Sequence, residues 1–198
     1  MDELTSSTVY FAAPGPDNTD RALALVAKRA QALDIQTVLV ATTSGATGLR
    51  AARSLSSLNI VAVTHSAGFR EPYAVEHDPE IVGQIEALGA KVLTTTHAFG
   101  GVGRAVRKKL GTYETEEIIA YTLRRFGEGM KVAAEITLMA SDAGLVPEGD
   151  PIIAVAGTGR GSDTAVILQP THAQTFFDLC FLEIICMPAP GHPGFGVG

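Results

Sequence analysis

The amino-acid sequence predicts an α/β domain, a three-layer sandwich in which helices cover both faces of a mostly parallel sheet that ends in an antiparallel hairpin portion. Three observations lead there. Short β-branched runs alternate with stretches of helical periodicity, the rhythm of repeated β-α-β units. Thr37–Ala41 is apolar almost throughout instead of alternating, as expected where helices cover both faces of a strand. Towards the end, Ile152–Ala156 and residues 164–168 flank a glycine-rich loop, which reads as a hairpin.

The elements follow in order. Residues 8–12 form a first strand, and the prolines and glycine at 14–16 break it ahead of N-cap candidates at Asp17, Asn18 and Thr19. Across residues 21–33, Leu23, Val26, Ala30 and Leu33 recur at helical spacing. After the strand Thr37–Ala41, a loop at residues 42–48 opens a helix running towards Leu58, and Asn59–Thr64 is the next strand. Asp78 and Pro79 place a cap and a first-turn proline at the start of a helix that stops at Gly89. A strand at residues 91–95 follows, then helices at 114–126 and 130–143 separated by Gly127 and Gly129. Turn residues at 146–151 lead into the hairpin strands, and residues 179–187 form a last strand. A single domain therefore spans residues 1–188, and the proline- and glycine-rich residues 189–198 are expected to be a flexible tail.

Composition narrows the partners. The hydrophobic fraction of 46% supports a sizeable core. The charged fraction of 18% falls below the roughly 25% usual for soluble proteins, which suggests helices buried on several sides or a surface covered by another subunit. A formal net charge of −6 opposes non-specific binding to nucleic acid or to an anionic membrane. Without an apolar leader or a run of about 20 apolar residues, a cytoplasmic location is expected. Cys180 and Cys186 share one strand, about 20 Å apart at the usual rise, and are expected to be reduced thiols. That strand is apolar on both faces, and an exposed edge of such composition would need a cover, so a homo-oligomer is expected.

In open parallel sheets ligands collect beyond the carboxyl ends of the strands. Thr42, Thr43 and Ser44 follow one strand, His65 and Ser66 follow Thr64, and Thr94, Thr95 and Thr96 lead into His97. The most informative segment is Ser44, Gly45, Ala46, Thr47 and Gly48. Its glycines let the backbone approach a ligand, its hydroxyls donate, and the next helix aims its free N–H groups there, which suits phosphate. An ordinary strand-to-helix turn capped by serine explains the same residues, and both readings stand open. Gly157, Thr158, Gly159, Arg160, Gly161, Ser162 and Asp163 form a second loop in which glycine amides and the Arg160 fork suit an anion. A flexible hairpin capped by Asp163 is the alternative. Residues 97–104 fail the dinucleotide fingerprint, because Val106 replaces the third glycine. They read as a mobile lid, with Phe99 placed to cover a planar ligand. Arg104, Arg107, Lys108 and Lys109 read as a solvated helix face. Glu135 lies in a helix apolar on nearly every side and needs a partner, which Lys131 one turn earlier can supply. His65, His77, His97, His172 and His192 match no metal-ligand spacing, and no metal is expected.

The segment running from Val38 through Thr42, Thr43, Ser44, Gly45, Ala46 and Thr47 to Asn59–Thr64 resembles the part of the pyruvate kinase C-terminal domain that holds a sugar-phosphate effector. Gly157, Thr158, Gly159, Arg160, Gly161 and Ser162 are similar to that domain's second effector loop. More closely, residues 9–188 resemble the standalone pyruvate kinase α/β domain proteins, through Pro14, Gly15, Asn18 and Thr19, through Glu135, Ile136 and Thr137, and through Arg160, Gly161, Ser162 and Asp163. Phe176, Phe177 and Asp178, and the run from Glu183 to Pro188, complete the likeness. The resemblance implies flavin mononucleotide as a candidate cofactor, with oxidoreductase chemistry if it is bound. No pyruvate kinase activity is expected, because that chemistry belongs to a (β/α)₈ barrel of about 250 residues. The leading expectation is a phosphate-bearing ligand held by Thr43, Ser44, Gly45, Ala46, Thr47 and residues 157–162, with His65, His97 and Phe99 around the remainder. A non-enzymatic sensor of a sugar phosphate or nucleotide is the alternative.

Overall fold

The computed structural model describes residue 3 and residues 5–190. Of the sequence expectations, those on residues 191–198, His192 among them, lie outside the described residues. The strands are β1 (Val9–Phe11), β2 (Thr37–Ala41), β3 (Asn59–Thr64), β4 (Lys91–Thr94), β5 (Ile152–Ala156), β6 (Thr164–Gln169) and β7 (Cys180–Pro188). The helices are α1 (Thr19–Leu33), α2 (Ala46–Ser54), α3 (Pro79–Ala87), α4 (Val102–Leu110), α5 (Thr115–Leu123) and α6 (Glu128–Asp142). The strands form one sheet in the order β1-β7-β6-β5-β2-β3-β4. Every neighbouring pair is parallel except β5–β6 and β6–β7, so β6 alone runs against the others.

The absence of alternation in β2 and β5 has the expected cause. Val38, Val40, Ile153 and Val155 face one core with Ala22, Val26 and Ala51 of α1 and α2. Leu39, Ile152, Ala154 and Ala156 face a second core with Met130, Ala133, Ile136 and Met139 of α6. Side chains on successive strand residues point to opposite faces, so a strand between two helical layers is apolar at every position. The three layers are thus α1, α2 and α3, the sheet, and α6, with a third cluster where Phe99 and Ala120 pack against Ala134 and Leu138.

Local chemistry sets the ends. The Asp78 carboxylate accepts from the Glu80 N–H, with Pro79 at the first helical position of α3. Gly127, at φ 116°, ends a 3₁₀ turn over Arg124–Phe126 that follows α5, so the helix expected over 114–126 is shorter than its periodicity suggested. The helix expected to reach Leu58 closes at Ser54, where Leu55 leaves helical geometry.

Two expectations are corrected. The last strand is not an exposed edge: β7 lies between β6 and β1, with Cys186, Met187 and Pro188 in register with Val9, Tyr10 and Phe11. β1 covers only this end of the strand, where residues 185–188 are buried, while Cys180 and Leu182 at its start are exposed. Phe99 is not placed to cover a ligand. Val102 begins α4, Gly103 is buried where a Cβ would strike Glu116, and Phe99 is buried against Phe176. Cys180 and Cys186 are both free thiols, as expected. Among the described residues no helix is long and apolar enough to cross a membrane.

Candidate functional site

Helices α1, α2 and α3 pack on one face of the sheet and α6 on the other, and the parallel strands β2 and β5 lie side by side at its centre. Loops leaving the carboxyl ends of these adjacent parallel strands diverge there and leave a crevice. A cavity of about 910 Å³ occupies it, lined by both loops, the ends of β2 and β3, the 65–76 segment and one face of α6. That volume suits a cofactor-sized ligand. Another hollow, about 510 Å³ and lined by Tyr113, Ile118, Tyr121, Thr122 and Arg125, lies on α5 away from the strand ends and has no glycine-rich loop.

The loop after β2 contributes Thr42, Thr43, Ser44, Ala46 and Thr47 to the cavity wall. Gly45 is the N-cap of α2 at φ 96° and carries no side-chain acceptor for the first turn. Only Ser44 Oγ approaches, 3.5 Å from the Ala46 N–H, so serine does not act as a firm cap and the positive end of the helix stays available. Gly45 itself faces away, because a Cβ there would meet Ile81 of α3.

The loop after β5 is bound tightly to the start of α1. Asp163 is fully buried, and its Oδ2 accepts from the Gly15 N–H at 2.9 Å and the Thr158 N–H at 3.1 Å. Thr19 Oγ1 accepts from the Ser162 N–H at 3.0 Å. Gly161, at φ 71°, lies so close to α1 that a Cβ would come within 2.4 Å of Pro16 Cα. These contacts hold Gly157, Gly159, Arg160 and Gly161 at the cavity wall, and the Arg160 guanidinium has no side-chain or backbone partner among the described residues.

Opposite the loops sit two histidines and a buried ion pair. His65 and His97 have ring centroids 5.3 Å apart, and Phe69 lies 4.1 Å from the first and 4.8 Å from the second. The Arg104 guanidinium lies 4.7 Å from the Phe69 ring and has no carboxylate partner among the described residues. Glu135 is buried, pairs with Lys131, accepts from the Phe99 N–H at 3.1 Å, and has His97 Nδ1 at 3.4 Å. Burial alone would raise its carboxyl pKa. The His97 hydrogen bond and the Lys131 charge outweigh that and hold it at about 2. Among the described residues no group of three or more histidine, cysteine or acidic side chains is arranged to hold a metal ion.

Of the residues singled out in the sequence, the cavity gathers Thr43, Ser44, Ala46, Thr47, His65, His97, Gly157, Gly159, Arg160 and Gly161. It does not include Gly45, Thr158 or Ser162, whose roles are to shape the loops. Phe99 is not a wall of it; Phe69 takes that position. The reading of the α4 cations as a solvated face is corrected for two of them: Arg104 lines the cavity, and Arg107 pairs with Glu117 at 3.0 Å. Lys108 and Lys109 are exposed, as read. Sequence reasoning missed Phe69, Arg70 and Glu76, which lie on a segment without periodicity. The paired charges within it were the only available signal.

A family comparison agrees with this architecture. The family model described as pyruvate kinase, alpha/beta domain, matches residues 20–168. Among solved structures, a pyruvate kinase from Cryptosporidium parvum aligns over 80% of this chain and 24% of its own, with 20% identity and a TM-score of 0.41. The Cryptosporidium parvum pyruvate kinase solved in complex with ADP aligns over 89% of this chain and 25% of its own, with 19% identity and a TM-score of 0.36. The chain thus spans about a quarter of the length of these enzymes. On the family match, the chain belongs to the pyruvate kinase alpha/beta domain family.

Proposed function

We propose that this domain binds a phosphate-bearing small molecule in the cavity at the carboxyl ends of β2 and β5. The observation that carries the reading is the convergence of two glycine-containing loops on one cavity in which Arg160 and Arg104 lack carboxylate partners among the described residues. The other arginines there are paired: Arg50 with Asp20, Arg70 with Glu76, and Arg124 with Glu128. Unpaired guanidinium groups beside an open helix N-terminus leave a local positive potential that a phosphate would neutralise. Ala41, Val63, Val132, Ile136 and Met139 supply an apolar wall, and Phe69 with the two imidazoles supplies ring faces. A ligand with a phosphate at one end and a planar ring system at the other fits that division, and flavin mononucleotide is the candidate we put forward.

The visible spectrum of the purified protein and quenching of flavin fluorescence on titration test the flavin directly. A thermal-shift series with phosphorylated metabolites tests the wider class. Arg160→Ala is expected to weaken binding by roughly 10- to 100-fold, the value of a charge-assisted hydrogen bond, while leaving the melting temperature of the free protein unchanged. No binding of flavin mononucleotide or any phosphorylated metabolite up to millimolar concentration, or an Arg160→Ala variant that binds as well as the parent, overturns the reading.

A further inference from the structure

The two histidines of the cavity are not equivalent. His97 has both ring nitrogens engaged: Nδ1 lies 3.4 Å from Glu135 Oε2, and Nε2 accepts from the Ser66 N–H at 3.4 Å. His65 has one engaged. Its Nδ1 lies 2.6 Å from Glu76 Oε2, and Arg70 Nε holds the other oxygen of that carboxylate at 3.0 Å. Among the described residues nothing bonds His65 Nε2, and the ring is on the cavity wall with its side chain 26% exposed. Phe69 packs against the ring face at 4.1 Å and limits its rotation.

A carboxylate acceptor at Nδ1 fixes the proton on that nitrogen and leaves the Nε2 lone pair bare and directed elsewhere. We propose that His65 is the proton-transfer group of this cavity, acting on a phosphorylated ligand whose C–H bond is made acidic by a neighbouring carbonyl. This rests on the reading that the cavity holds a phosphorylated molecule. In the step, the Nε2 lone pair forms an N–H bond while the ligand C–H bond breaks and its electron pair passes to the carbonyl oxygen. Glu76 balances the new imidazolium charge, and reversal of the step returns the proton. Arg70, on the far oxygen of Glu76, is a positioning residue.

The full chain is incubated in D₂O with dihydroxyacetone phosphate, exchange of its C–H is followed by proton NMR, and binding is measured in parallel by calorimetry. The parent protein is expected to accelerate exchange. His65→Gln and Glu76→Gln are expected to slow it by about 100-fold or more, a loss larger than any accompanying loss of affinity. A parent that binds the compound without accelerating exchange, or a His65→Gln variant that exchanges at the parent rate, overturns the proposal. If the compound does not bind, the binding reading fails for that probe and a ligand-free measurement decides His65. Nitrogen-15 NMR is expected to show the Nδ1–H tautomer in the parent and a shift towards Nε2–H in Glu76→Gln. A neutral parent His65 that carries its proton on Nε2 overturns the proposal by itself.

Discussion

Glu135 shows how one buried residue serves packing and site together. Its carboxylate is 3% exposed and is held by Lys131, His97 and the Phe99 N–H, so α6, the β4–α4 loop and the cavity floor meet on one group. Glu135→Gln would leave the Lys131 ammonium buried without its counter-charge, and a loss of about 3–5 kcal/mol is expected in urea melts. The double replacement Lys131→Met with Glu135→Leu is expected to recover only part of it, because two charges then leave the interior together but the Phe99 N–H and His97 Nδ1 lose their acceptor. The sign of the pH effect follows from the depressed carboxyl. A pKa near 2 in the folded chain, below the ordinary 4.5, means stability present above pH 4.5 and lost as pH falls towards 2. Glu135→Gln should flatten that part of the stability–pH curve. The thiols differ by the same logic of burial. Burial pushes Cys186 up to about 12, whereas Cys180 is exposed, so a thiol reagent at pH 8 should modify Cys180 and spare Cys186 until the chain unfolds.

At the scale of elements, the loop after β5 owes its shape to α1 as much as to its own sequence. Asp163 ties it to Gly15 and Thr19 ties it to Ser162, contacts that join residues more than 140 positions apart. Two of its glycines serve different purposes. Gly161 has φ 71° and no room for a Cβ against Pro16, whereas Gly159 has φ 82° and nothing within 4 Å of a Cβ. Gly161→Ala is therefore expected to cost about 3 kcal/mol or more, combining backbone strain with overpacking. Gly159→Ala should cost only about 1–2 kcal/mol, the strain alone. Thermal melts of the two variants check this, and equal losses would show that the loop is not clamped to α1. The loop after β2 was easier to foresee, because a strand, small hydroxyl residues and glycine followed by a helix are contiguous in sequence.

Across the whole molecule, stability should rise from the sheet edges towards its centre. Every residue of β5 is fully buried, and β5 lies between β2 and β6, whereas β4 is an edge with Lys91 and Thr94 exposed. Native-state hydrogen exchange is expected to be slowest in β2, β5 and β6 and fastest in β4 and in residues 66–77, outside regular elements. Slowest exchange in β4 would contradict the layer arrangement. The α6 face also explains the low charged fraction. From Gly129 to Ser141 all but Val132 are buried, so this helix spends its length on the core rather than on a solvated side.

The linear chain determined the layered α/β class, the positions of most strands and the rim on which small hydroxyl residues and histidines collect. These are local properties: unbroken apolar runs mark strands covered twice, and glycine with serine or threonine marks backbone open to a ligand. Tertiary structure alone decided that β7 is interior, because strand order depends on which distant segment pairs with it. It also decided that Phe69 rather than Phe99 faces the cavity, that Arg104 joins it, and that among the described residues His65 keeps a free nitrogen while His97 does not. Each of those outcomes turns on the direction of one side chain against a partner remote in sequence. No periodicity within the chain encodes that.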